Sequence, residues 1–191
     1  MELIFATQNE DKIKEIQKLM PPNIVVKSLK AIGCTDDIPE TKETLEGNAI
    51  QKAQYVVEKY NVNCFSDDTG LEVSALNGAP GVYSARYAGP AKSAADNMQL
   101  LLDNLKDKVD RSAQFRTAIA LIIDGKTHTF EGIVKGSIRT EQSGSKGFGY
   151  DPIFEPENRG ITFAEMPLSE KNEISHRARA LKKMIQFLKE G

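Results

Sequence analysis

The chain has no tryptophan, only two cysteines and two histidines, and no apolar run longer than Ala118 to Ile123. Each scarcity excludes something. Cys34 and Cys64 cannot build a disulfide framework or a cysteine-rich metal centre, and neither has a histidine beside it in sequence. Cys64 reads as a buried strand residue, the usual place of a free thiol. Cys34 falls in a polar loop, a setting that permits exposure. Two free thiols suit a reducing compartment. The apolar runs are too short for a membrane-spanning helix. The start, Met1 to Ala6, lacks both the basic region and the apolar core of a targeting segment. The expectation is a soluble cytoplasmic protein. Neither sign of charge dominates: Lys+Arg 25 stand against Asp+Glu 27, a net charge of −2. A nucleic-acid surface is therefore not expected, although a local basic cluster could still serve a phosphate-bearing small molecule. What is present is core material. With 191 residues and 40% hydrophobic content, the chain can form one domain, or one with a small second lobe.

Periodicity gives the order of elements. Leu3-Ile4-Phe5-Ala6 reads as a short buried strand, and a helix follows from about Glu10 to Met20, with Ile13, Ile16 and Leu19/Met20 on one face. Pro21-Pro22 stops it, and Ile24-Val25-Val26 is a second strand. Strand, helix and strand in this order mark an α/β protein. Lys30 to Thr44 reads as a loop and Leu45 to Tyr60 as a long helix. Cys64 to Asp67 and Leu71 to Ala75 read as two strands on either side of a Thr69-Gly70 turn. Asn77 to Pro90 is irregular. Ser93 caps a helix through Leu105. Ala113 to Ile123 is a strand, Asp124-Gly125 a two-residue hairpin turn, and a partner strand returns to Ile138. The hairpin is antiparallel, so the sheet is mixed or the protein bilobed. Ser143 to Pro152 is a glycine-rich loop, and Ser175 to Leu188 the last helix.

Five segments carry chemistry. In Ser66-Asp67-Asp68-Thr69-Gly70-Leu71, successive side chains of a strand point to opposite faces, so only one of the two acids can face the strand's buried side. The other stands where many α/β proteins bind ligands, able to hold a hard divalent cation or to take a proton from water; a solvated turn is the plain alternative. In Thr7-Gln8-Asn9-Glu10-Asp11-Lys12, a strand ends and a helix opens. Free N–H groups, the helix dipole, the Thr7 hydroxyl, the Asn9 amide and the Lys12 charge make a phosphate cradle without the glycines of a Walker loop; a simple helix cap would use the same residues. Glu40 could add a second carboxylate, and Asn48 and Lys52 share one helix face, as a wet surface would also have it. In Gly147-Phe148-Gly149-Tyr150-Asp151, flanking glycines let a ligand approach the backbone, and Phe148 offers a platform for a flat base unless it packs inward. Lys171 with Ser175-His176-Arg177 places donors at the start of the last helix, where an anionic or carbonyl-bearing ligand suits them. His128 reads as structural or exposed.

Together, Thr7-x-Asn9-x-x-Lys12, Glu40-Thr41 with Asn48-Ala49, Asp67-Asp68-Thr69-Gly70-Leu71, the run from Gly78 to Arg86, Phe148-Gly149-Tyr150-Asp151 and Ser175-His176-Arg177-Ala178 closely resemble the inosine/xanthosine triphosphate pyrophosphatase family. The resemblance runs from Thr7 to the last helix. It departs at Gly47, where relatives often have glutamate before Asn48 and this chain has its acid one place earlier, at Glu46; and at Lys42, where glycine is frequent.

The resemblance implies an α/β fold, two-lobed, with a central mixed β-sheet flanked by helices. Residues 1–191 would form a single domain with the nucleotide between the lobes, usually as a homodimer with Gly78–Tyr87 as a candidate contact. It implies hydrolysis of inosine, deoxyinosine and xanthosine triphosphates to monophosphate and pyrophosphate, with one Mg²⁺ per subunit. Glu40 and Asp68 would hold the ion, and Asp68 would deprotonate the attacking water. Thr7, Gln8, Asn9, Glu10, Asp11, Lys12, Lys52, Thr69 and Lys171 would bind the substrate, together with Phe148, Gly149, Tyr150, Asp151, His176 and Arg177 around the base. A nucleotide-binding sensor without turnover, or an unrelated Mg²⁺-dependent phosphatase of small esters, are the alternatives. No nucleic-acid or membrane partner is expected.

Overall fold

Strand register in the first third of the chain follows from which residues must be buried on which face. In the computed structural model, which describes residues 1–8 and 10–190 and only the backbone of Asp11, Lys12 and Glu15, β1 (Glu2–Phe5) lies parallel to β2 (Val25–Ser28) and to β3 (Cys64–Val73). Helix α1 (Glu10–Gln17) connects the first two strands, and α2 (Leu45–Tyr60) leads into the third. Then come α3 (Ala94–Asn104), β4 (Ser112–Ile123), β5 (Lys126–Ile138), the short β6 (Phe154–Pro156), α4 (Leu168–Ile174) and α5 (His176–Glu190). The six strands form one mixed sheet in the order β2-β1-β3-β4-β5-β6, with β6 antiparallel to β5. The fold is therefore the mixed α/β sheet with flanking helices that the resemblance implies. Among the described residues, no helix is long and apolar enough to cross a membrane.

The chain divides into two compact units. The first comprises Met1–Asp68, Ala118–Glu131 and Ala180–Gly191; the second, Thr69–Thr117 and Gly132–Arg179. In the first, alternation along the strands separates two cores. Leu3, Phe5 and Phe65 face α1 and α5 with Ile119 and Leu121, and the rings of Phe5 and Phe65 stack at 4.5 Å. Ile4, Cys64, Ala120 and Ile122 face the opposite way, onto Ala49, Ala53 and Val56 of α2. This is the period-two rule of a strand buried on both faces. Asp124 and Gly125 both take positive φ (49° and 74°), as a two-residue hairpin link requires. The second unit packs Leu71, Val73, Leu101, Phe115, Val134, Phe154 and Phe163 into one core.

Several expectations need correction. Thr69-Gly70 is not a turn: β3 runs unbroken from Cys64 to Val73. Its neighbour β4 holds it extended, and the Thr69 and Thr117 hydroxyls bond at 2.7 Å. Helix α1 ends at Gln17 and closes with a tighter turn, Leu19 N–H donating to Ile16 O at 2.9 Å. The irregular stretch contains a 3₁₀ helix, Gly81–Arg86, and α4 was not anticipated. Cys34 is buried, packed in the α2 core, because a loop polar in sequence still turns one side chain inward. His128, by contrast, is structural as expected, its ring packed 4.4 Å from that of Phe187.

Candidate active site

Two constellations hold the anticipated residues, one in each unit. In the first, the loop before α2 is fastened along the helix residue by residue. Glu40 Oε1 accepts from Lys52 Nζ at 2.5 Å, the Thr41 N–H donates to Gln51 Oε1 at 2.9 Å, and the Lys42 N–H donates to Asn48 Oδ1 at 2.8 Å. The same helix face grips β3. Lys52 Nζ also donates to the Asp67 carbonyl at 2.7 Å, and Asn48 Nδ2 donates to Asp68 Oδ2 at 3.1 Å. Helical spacing puts Asn48 and Lys52 on one side of α2, so Glu40 is tied through Lys52 to the peptide immediately preceding Asp68. Asp68 itself is half-buried, and Asn48 only 2% exposed.

The departures at Lys42 and Gly47 account for each other. A Cβ on Gly47 would stand 2.9 Å from Lys42 Cβ and 2.9 Å from Thr44 Oγ1. Thr44 caps α2 by accepting from the Gly47 N–H at 3.0 Å. A side chain at 42 thus takes the room that one at 47 would need. Glu46 points into solvent, in the first turn of α2.

In the segment meant to cradle phosphate, α1 opens at Glu10 as expected. Thr7 is half-buried, with its carbonyl accepting from Leu29 N–H at 3.1 Å, and Gln8 is exposed. The Glu10 carboxylate accepts from the Ser28 hydroxyl at 2.6 Å, which anchors it to the end of β2. Asn9, and the side chains of Asp11 and Lys12, lie outside the described residues.

In the second unit, a cavity of about 290 Å³ is lined by Thr69, Leu71, Phe115, Phe148, Gly149, Tyr150, Asp151, His176 and Arg177, with Ser84, Lys92 and Asn97 also on its walls. Phe148 is 67% exposed, so its ring is open to a stacking partner. Beneath it lies a buried ion pair: Lys171 Nζ bonds Asp151 Oδ2 at 2.5 Å and sits 4.8 Å from the Phe148 ring centre. The Phe148 N–H donates to the same Asp151 oxygen at 2.9 Å. Gly147 makes this possible, for its φ is +77° and a Cβ there would stand 2.1 Å from Asp151 Oδ2. Lys171 thus reaches the cavity through Asp151 and Phe148 and does not line it. His176 lies face to face with Phe115, ring centres 4.7 Å apart. Burial pushes the Tyr150 phenol above its usual range and keeps it a neutral donor, and its hydroxyl donates to the Ser84 carbonyl at 2.7 Å.

Other wall residues had no strong signal. Ser84 accepts from the Leu71 N–H at 2.9 Å, and Asn97, 4% exposed, accepts from the Ala88 N–H at 2.7 Å. The trace of Asn97 is a polar residue beside Met98 on a helix's apolar face. Asp68 and Thr69 are consecutive residues of β3, so a single strand carries the acid of one constellation and a wall residue of the other.

The profile of the Ham1 family matches residues 3–187. A dITP/XTP pyrophosphatase of Flavobacterium johnsoniae is 56% identical over 188 residues, covering 98% of both chains. One from Flavobacterium psychrophilum is 55% identical over 189 residues, covering 99% of this chain and all of its own. The solved structure of a HAM1 protein from Coxiella burnetii superposes with a TM-score of 0.96 at 38% identity, covering 100% of each chain.

Proposed function

The chain belongs to the Ham1 family, and we propose that it hydrolyses the triphosphates of non-standard purines (dITP, XTP and ITP) to the nucleoside monophosphate and pyrophosphate, in the nucleotide pool of the cytoplasm. The observation that carries this reading is β3. It bears, next to each other, an acid held by a buried amide and a residue on the wall of a cavity topped by an exposed aromatic ring.

Asp68 takes a proton from water, and the resulting hydroxide attacks a phosphorus so that the α–β anhydride bond breaks and pyrophosphate leaves. The donor set fits a hard divalent ion. Mg²⁺ is typically held by one or two carboxylates with substrate phosphates completing its shell. Glu40 and Asp68 supply two carboxylates, and among the described residues no group of three metal-ligating side chains forms a closed cage. When bound, Mg²⁺ neutralises charge on the phosphate oxygens. Thr7, Gln8, Asn9, Glu10, Asp11 and Lys12 receive the phosphate chain at the opening of α1, where N–H groups and the dipole favour anions. Lys52 keeps Glu40 and the Asp67 peptide in place.

The purine enters the second unit's cavity and stacks on Phe148, with Gly149 and Tyr150 on its wall. His176 and Arg177 donate to the 6-oxo group that hypoxanthine and xanthine share. Adenine has an amino group there and leaves those donors unpaired, a mismatch that can discriminate by roughly 10⁴-fold. Lys171 and Asp151 hold the platform from below. A homodimer with Gly78–Tyr87 at its contact belongs to the same reading; Tyr83 in that segment is 54% exposed. The experiment is a panel of triphosphates with Mg²⁺, scored for product. Pyrophosphate from inosine and xanthosine triphosphates, with little from ATP, is expected; orthophosphate in its place would refute the chemistry.

A further inference from the structure

We propose that Asn48 is a positioning residue for Asp68: it fixes the plane of the carboxylate that takes the proton from water. The proposal rests on the assignment of Asp68 as that base and deepens it.

The carboxamide has two different ends, and each has a partner that leaves it no choice. A backbone N–H can only donate, so Asn48 Oδ1 faces the Lys42 N–H at 2.8 Å. That turns the amino end toward Asp68 Oδ2, 3.1 Å away, and a carboxylate accepts. Asn48 is 2% exposed, so its amide cannot exchange these bonds for water without opening the helix from the strand. Rotation of the Asp68 carboxylate about its Cβ–Cγ bond would break the bond to Nδ2. One turn along α2, Lys52 holds the Asp67 carbonyl at 2.7 Å. The helix therefore holds the strand's backbone through Lys52 and its acid through Asn48. Anchoring the loop before α2 accounts for the Lys42 bond alone. The second bond goes to Asp68, twenty residues away in sequence.

Asn48→Asp separates the two bonds. It keeps an oxygen for the Lys42 N–H and replaces the donor facing Asp68 with a carboxylate. It also sits in the first turns of α2, where the dipole favours an acid. The carboxylate this variant sets against that of Asp68 also repels it, so its result is read beside that of Asn48→Ala, which removes the donor and adds no charge. With Asn48 a positioning residue, Asn48→Asp loses about 10- to 100-fold in kcat, the range expected for a hydrogen bond to a charged group, while KM changes by less than about threefold. Asn48→Ala does the same and serves if the aspartate variant does not fold. In an Asp68→Asn background neither change lowers the residual rate further, because the group it acts through is gone. In the metal-free protein, the Asn48 side-chain amide resonances shift on Asp68→Asn. A kcat for Asn48→Asp within about twofold of the parent overturns the proposal. So does an equal loss in both backgrounds, or an effect confined to KM. Undiminished turnover by Asp68→Asn alone removes the base assignment and the proposal with it, a failure distinct from the other three.

Discussion

Removing the charge of Lys171 tests whether the floor beneath Phe148 is a buried electrostatic couple. The side chains of Lys171 and Asp151 are 9% and 4% exposed, and their charged atoms are 2.5 Å apart. The Phe148 N–H also donates to Asp151 Oδ2, at 2.9 Å. Lys171→Met keeps the length and apolar contacts of the chain but leaves the carboxylate buried with its counter-charge gone. Breaking one side of such a pair typically costs about 3–5 kcal/mol. For a chain of this size each kcal/mol lowers Tm by roughly 2–4 °C, so the fall is about 6–20 °C. Asp151→Asn in the same background removes the stranded charge while its carbonyl oxygen still accepts from Phe148 N–H. The double variant is therefore more stable than Lys171→Met alone, with a coupling of about 1–3 kcal/mol. The assay is thermal unfolding followed by circular dichroism at neutral pH, on the parent, both single variants and the double. Single losses under about 1 kcal/mol that simply add would place the pair with exposed ion pairs and refute the reasoning.

Four further outcomes follow from the same geometry. Phe148→Ala removes an exposed ring worth about 1–3 kcal/mol of base stacking, so KM for inosine triphosphate rises roughly 5- to 150-fold while the fold is unchanged; steady-state kinetics and a melting curve check this. Gly147→Ala forces a Cβ to 2.1 Å from Asp151 Oδ2 at a φ of +77°, and is expected to lower Tm and weaken inosine-over-adenosine selectivity together. Cys34 and Cys64 are 1% and 0% exposed, and burial pushes the Cys64 thiol up, so neither thiol reacts with an alkylating reagent near neutral pH until the protein is denatured; mass spectrometry reads this directly. The N–H of Thr162 holds the Glu165 carboxyl below its ordinary value of 4.5, donating at 2.7 Å. A depressed folded value stabilises the protein above the unfolded value and the benefit is lost as pH falls through the folded one. Denaturant titrations should thus show Glu165→Gln less stable than the parent at neutral pH, with the gap closing below about pH 4.5; a constant gap counts against the assignment.

Local signals determined a large part of this protein. The alternation of Leu3 and Phe5 against Ile4 sorted β1 onto two cores, Ser93 accepts from Asp96 N–H at 3.3 Å as the cap of α3, and Asp124-Gly125 turns the hairpin. These are matters of a few consecutive residues, where side-chain period and backbone dihedral preference are strong enough to be read directly. Function was legible in the same way, as short runs in a fixed order, including an exposed Phe148 between two glycines. Other features were decided only by tertiary structure. Thr69-Gly70 has the composition of a turn, yet β4 keeps it extended and joins Thr69 to Thr117, 48 residues on. Lys171 looks like a free cation near a helix start, but it is buried against Asp151. Asn48 looks like half of a wet helix face, but it is closed off between Lys42 and Asp68. In each case the partner lies beyond the reach of periodicity. A polar group removed from water takes the hydrogen bond that packing brings to it, and packing depends on the whole chain.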